Sequence, residues 1–166
     1  MEWEIFCTSA DRRLAILSGP HAAFRLRDEV LRARNGSYGE NEMFSHIMIG
    51  SNDIVRSKKF YDALFAAMGA QPGTEDARGR LAYSHNGSRF MVSKPIDGKP
   101  ASHANGGTIG FVMKDAAQAE AWHKAGVANG GTSIEDPPGK RPNGAYLAYL
   151  RDPDGHKLVG VARPAG

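Results

Sequence analysis

Two stretches of this chain repeat one another at a constant spacing, and an internal duplication leaves few architectures open to a chain of 166 residues. Laying "SHIMIGSNDIVRSKKFYDA", from Ser45, over "GTIGFVMKDAAQAEAWHKA", from Gly107, sets His46 on Thr108, Ile47 on Ile109 and Ile49 on Phe111. It also sets Asp53 on Asp115, Phe60 on Trp122 and Ala63 on Ala125, each pair 62 residues apart. Further along, "LAYSHNGSRFMV" from Leu81 resembles "LAYLRDPDGHKLVGV" from Leu147, sharing Leu-Ala-Tyr, then a glycine turn, then an apolar strand. Order, residue type and spacing agree over both segments. The chain is therefore read as two copies of one supersecondary unit.

Each copy has a legible order. Residues 44–49 alternate as a strand, and Asn52 or Asp53 caps a helix whose Ile54, Phe60, Leu64 and Met68 fall mostly at helical spacing until Gly69 stops it. Residues 79–84 and 89–93 form a hairpin around His85-Asn86-Gly87, with a short strand near 71–74 before it. In the second copy residues 108–113 are the strand and Asp115 caps a helix over 116–125. A weak strand follows at 132–135, and 146–150 pairs with 157–161. Both units read βαβββ. Residues 94–107 are the linker between them, and 136–144 form a loop rich in Pro and Gly.

Strand parity then says which side chains share a face. Phe44, His46 and Met48 point to one side and Ile47 and Ile49 to the other; because the helix covers an apolar face, His46 is expected to face a cleft. Thr108 and Gly110 likewise stand opposite Ile109, Phe111 and Met113.

Composition removes several classes. With 41% hydrophobic and 23% charged residues the chain can bury a core and is not of disordered type. The net charge of +3 is scattered with no long basic run, so nucleic acid is not an expected partner. No apolar run reaches membrane-spanning length and no secretion signal is evident, so no membrane partner is expected. The single Cys7 makes no internal disulfide, which fits a reducing cytoplasm. Residues 1–42 lie outside the repeat. Pro20 and Gly36 bracket an amphipathic segment there, expected to be one helix.

The module order, the Asp152-Pro153-Asp154-Gly155 turn before the last strand, and phrases such as "SHIMIGSNDIVRSKKFYDAL", "FMVSKPIDGKPAS" and "YLRDPDGHKL" resemble the vicinal oxygen chelate superfamily. This family includes glyoxalase I, bleomycin- and fosfomycin-resistance proteins and extradiol dioxygenases. The resemblance implies an α+β fold of two βαβββ modules, over residues 43–95 and 105–164, with the extension in front. It also implies a small ligand bound in the cleft between modules and a homodimer.

The family's usual site is a divalent metal held by inward-facing residues of the first and last strands of each module, often two His and a Glu. Such an ion needs imidazole and carboxylate donors with vacant positions for substrate oxygens. Carried over residue by residue, the first-strand position is His46, which matches. The equivalent place in module two is Thr108, the last-strand acid falls on Val159, and by the repeat the fourth vertex is Met91. One imidazole is far short of the three protein ligands of catalytic metal sites. The expectation is no cofactor, or a weakly held Zn, Ni, Mn or Fe on His46.

Tyr83, Phe90, Tyr146 and Tyr149 lie on the hairpins, where aromatic rings could stack on a flat ligand or simply pack the sheet. His85, His103 and His156 fall in turns or the linker and are expected to be solvated. Two function classes follow: a glyoxalase-like lyase or isomerase with His46 as ligand or general base, and a metal-free protein that sequesters a ligand, of the drug-resistance type.

Overall fold

The computed structural model of the protein describes residues 43–164, so the helix expected around Pro20–Gly36 and the environment of Cys7 lie outside the described residues. Module one runs β1 (Ile47–Gly50), α1 (Ile54–Ala66), β2 (Thr74–Glu75), β3 (Leu81–His85) and β4 (Ser88–Ser93). Module two runs β5 (Ile109–Met113), α2 (Ala116–Ala128), β6 (Thr132–Ser133), β7 (Gly139–Lys140), β8 (Tyr146–Arg151) and β9 (Lys157–Ala162). The two sheets have the same order, β1-β4-β3-β2 and β5-β9-β8-β6, with β7 added against β8. Both modules carry the βαβββ order expected from the duplication, module two with the short β7 in addition.

Local chemistry sets these boundaries. Asp53 and Asp115 cap α1 and α2, their carboxylates accepting from the backbone N–H of Arg56 and Gln118. Along α1 the buried positions are Ser57, Phe60, Tyr61, Leu64 and Phe65, one stripe at helical spacing. The second helix runs three residues past the expected end at 125, to Ala128, and Gly130 beyond it adopts a positive φ of 104°. Within the expected loop, β7 pairs Gly139 and Lys140 with Leu147 and Tyr146. A turn closed from the Arg141 N–H to the Ala145 carbonyl allows that pairing.

Register decides which face each side chain occupies. In module one, Ile47 and Ile49 lie beside Phe90 and Val92, which oppose Tyr83 and Leu81. These residues form the face covered by α1. Met48, Met91 and Ala82 form the open face. In module two, Ile109 and Phe111 lie beside Leu158 and Gly160 on the covered face, while Gly110, Val159 and Tyr149 line the open one. The repeated Leu-Ala-Tyr letters are thus one residue out of structural register. Tyr83 pairs with Phe90 on the covered face, whereas Tyr149 pairs with Val159 on the open face. Because side chains alternate with period two, a slip of one residue exchanges the faces.

The covered faces of both modules share a single core. Phe111 of β5 packs against Phe65 of α1 at 5.3 Å between ring centroids, against Phe90 of β4 at 5.7 Å and against Trp122 of α2 at 5.9 Å. The helices meet at Gly126, where an added Cβ would come within 2.9 Å of Leu64 Cδ1 and 2.6 Å of Leu150 Cδ2. Each such aromatic or leucine, once buried, contributes about 1.5–3 kcal/mol. The open faces turn away from this core.

Candidate functional site

His46 sits one residue before β1 and Thr108 one residue before β5, both exposed, and strand alternation carries each to the open face of its sheet. Met91 and Val159 are 4% and 6% exposed, yet neither belongs to the core cluster, consistent with their positions on the open faces. Met91 lies beside Met48 and Val159 beside Gly110, so the pair His46/Met91 and the pair Thr108/Val159 occupy equivalent diagonals. The donors there are one imidazole, one thioether, one hydroxyl and one alkyl group. Among the described residues no three His, Cys, Asp or Glu side chains are grouped so that they could hold a metal ion. This set does not fit the hard divalent ion of the family pattern.

Two expected cleft residues are elsewhere. Tyr83 and Phe90 belong to the core, within 4.9 Å and 5.5 Å of the Phe65 ring, because their register places them under α1. The Tyr83 hydroxyl donates to Asp62 Oδ1 at 3.0 Å, and burial, followed by that carboxylate, pushes its pKa up. Tyr146 also packs against the core, its hydroxyl donating to Glu120. Tyr149 is the aromatic residue of the four on an open face. Lys157 Nζ lies 4.9 Å from the centre of its ring and also pairs with Glu135.

A hollow of about 990 Å³ opens at the C-terminal end of β1, lined by Met48 of the open face and also by Ile49 and Ile54 of the covered side. Met48, Gly50 and Ser93 form one wall, Arg78 and Arg80 a second, and residues 94–102 a strap across it. The strap is pinned at Ala101, whose N–H donates to Asn52 Oδ1 at 2.8 Å and whose carbonyl accepts from Asn52 Nδ2 at 3.1 Å. Arg80 is held by Asp76 at 2.7 Å through Nε. The side-chain hydrogen bond from Arg80, with further backbone donors, pulls the Asp76 carboxyl down to about 2. Sequence reasoning read residues 94–107 as a linker and missed this strap. The available signal is Asn52: of the two cap candidates, Asn52 and Asp53, it is Asp53 that caps α1, and Asn52 holds the linker.

The Asp152–Gly155 turn has a structural task. Asp152 is buried; it accepts from the Tyr61 hydroxyl at 2.7 Å and from the N–H groups of Asp154 and His156. The Asp154 side chain, 1% exposed, accepts from Arg56 at 2.7 Å, from Asn52 Nδ2 at 2.8 Å and from Ser57 at 3.4 Å. Burial raises the Asp154 pKa, but the Asn52 hydrogen bonds and the Arg56 charge outweigh it and the net shift is downward. Burial, then the Asp152 charge, pushes Tyr61 well up. The turn of module two thus clasps the start of α1 in module one. His156, expected to be solvated, is half-buried, with Nε2 2.9 Å from the Gly50 carbonyl. The clasp draws it inward. His123 of α2 is also half-buried, with Nε2 3.1 Å from the Tyr149 carbonyl, and burial lowers its pKa against the opposing effect of that carbonyl.

Comparison with known proteins agrees with this architecture. The family described as Glyoxalase/Bleomycin resistance protein/Dioxygenase superfamily matches residues 43–159. A glyoxalase/bleomycin resistance protein from Albidiferax ferrireducens T118 is 50% identical with a TM-score of 0.71, covering 74% of this chain and 100% of its own. The fosfomycin resistance protein FosX from Mesorhizobium loti is similar in fold, at 19% identity and a TM-score of 0.54, covering 73% of this chain and 92% of its own. Lactoylglutathione lyase from Agrobacterium tumefaciens is similar in fold at 16% identity and a TM-score of 0.51, covering 75% of this chain and 96% of its own. No curated protein matches the chain.

Proposed function

Since the chain belongs to the Glyoxalase/Bleomycin resistance protein/Dioxygenase superfamily, we propose that it binds a small molecule on the open faces of its βαβββ modules without the divalent ion of the family pattern. The observation that carries this reading is the donor set at the four equivalent positions: His46, Met91, Thr108 and Val159 offer one imidazole nitrogen and no carboxylate. The hollow beside Met48 and Ser93, roofed by the strap, supplies space for such a ligand. Tyr149 adds an aromatic surface on the other module.

A second reading, a glyoxalase-like lyase or isomerase, is favoured by His46 itself. An exposed imidazole can serve as a general base without a metal. A homodimer belongs to the same proposal, because Val112, 84% exposed, leaves an apolar side chain on the open face of β5 for a second copy to cover. Among the described residues no helix is long and apolar enough to cross a membrane. Cytoplasmic residence is part of this reading, on the single cysteine.

Calorimetric titration with nickel, zinc and manganese tests the central claim. The natural protein is expected to bind them weakly. Thr108→His with Val159→Glu restores two ligands and raises affinity by about 10- to 100-fold. Tight stoichiometric binding by the natural protein would show that other residues complete a divalent site.

A further inference from the structure

The hollow at the end of β1 is lined by none of the four family positions; its walls are the turn between β2 and β3 and the strap after β4. Asp76 organises that turn. Its carboxylate accepts from the backbone N–H of Arg78 at 2.9 Å and of Arg80 at 3.1 Å, and it grips the Arg80 guanidinium through Nε at 2.7 Å and Nη2 at 2.6 Å. A guanidinium carries five N–H donors in one plane, so two bonds to Asp76 fix that plane and leave three donors over. Arg78 and Lys94 line the same hollow, and among the described residues neither side chain has an ion-pair or hydrogen-bond partner.

The opposite wall is equally fixed. Asn52 pins the strap at Ala101, and the strap lies so close on β1 that a Cβ added at Gly50 would stand 3.0 Å from Ala101 Cβ and 3.7 Å from Pro95 Cγ. Met48, Ile49 and Ile54 give the hollow an apolar floor.

We propose that this hollow binds an amphipathic carboxylate, its charged end on Arg78, Arg80 and Lys94 and its apolar body on Met48, Ile49 and Ile54; the assignment rests on the reading that a small molecule is held beside β1.

Two acids line the hollow as well. Asp97 has Oδ1 committed to the Lys99 N–H at 3.0 Å, inside the strap's own turn. Glu75 opposes Leu81 of the covered face, so its side chain leaves the sheet on the side opposite to that of Arg80, one residue before Leu81. Counting Asp76, the charges of the two signs are equal here, so selection comes from hydrogen bonding at contact rather than from a long-range field. A carboxylate suits that contact, because its two oxygens match the planar edge of a guanidinium and charge-assisted bonds are about twice as strong as neutral ones.

The test is titration of the full chain with octanoate, octanamide, octylammonium and acetate, followed by amide chemical shifts. Octanoate is expected to move the amides of Gly79, Ser93 and Ala101, which line the hollow, and to bind about tenfold more tightly than octanamide. Acetate, which lacks the apolar chain, is expected to bind at least about tenfold more weakly than octanoate. Arg78→Gln with Lys94→Gln removes the preference for octanoate over octanamide. Arg89→Gln, at the other end of β4 and outside the hollow, keeps it. Circular dichroism melting checks that both variants are folded. Octanamide or octylammonium binding as tightly as octanoate, acetate binding as tightly as octanoate, or a double variant that keeps the preference overturns the proposal. Octanamide matching octanoate at these amides would leave the reading of a small-molecule site standing while removing its anion, whereas shifts absent with all four compounds overturn the hollow as the site; neither bears on the divalent titration, which reads other positions.

Discussion

The Asp154 carboxylate takes hydrogen bonds from Arg56, Asn52 and Ser57 while its side chain is 1% exposed. In an unfolded chain an aspartate titrates near 3.9. In the fold its pKa is lowered, so its stabilisation is complete above that unfolded value and is lost as pH falls through the depressed folded one. Asp76 and Asp62 are shifted in the same direction and add to the same acid limb. Asp154→Asn removes the charge and turns one accepting oxygen into a donor. It is expected to cost about 2 kcal/mol at neutral pH and to flatten the fall in stability below about pH 4. Urea unfolding followed by circular dichroism at several pH values reads both. An unaltered acid limb would mean that the clasp is held by shape rather than charge.

At the scale of elements, the passage from α2 into β6 runs through Gly131, which lies against module one. A Cβ there would stand 2.8 Å from Phe60 Cε2, 2.9 Å from the Arg151 carbonyl oxygen and 3.0 Å from the Gly126 carbonyl oxygen. Two of these three neighbours are backbone and cannot rotate away. Gly131→Ala is therefore expected to destabilise the protein by about 1–3 kcal/mol, lowering the melting temperature although alanine is ordinarily the easier residue to order. The helices themselves were legible from Asp53, Asp115 and the apolar spacing. The hairpin register was not. Leu-Ala-Tyr occurs twice as letters, but cross-strand partners are set by turn length and by what α1 and α2 cover, and these place Tyr83 inside and Tyr149 outside.

For the whole molecule, two modules share one core through their covered faces, and the open faces bear Met48 and Val112. If a second copy covers the open face, sedimentation at micromolar concentration gives about twice the chain mass of 17.9 kDa. Val112→Glu, which places a charge on that face, is then expected to shift the protein to monomer by at least about tenfold in dissociation constant. A natural protein that sediments as a monomer removes the dimer from the proposed function.

The duplication, both βαβββ units and the equivalence of His46 with Thr108 are legible in the residues, because strand and helix periods are local and the 62-residue offset repeats them. So are the donor types at the four family positions, since chemistry travels with the residue. The tertiary structure alone decided that Asp152 and Asp154 clasp α1, that the linker straps the hollow, that His156 turns inward and that Tyr83 and Phe90 are core. Each of these rests on a contact between distant parts of the chain. Such contacts depend on how two covered faces fit together, and no local period encodes that fit.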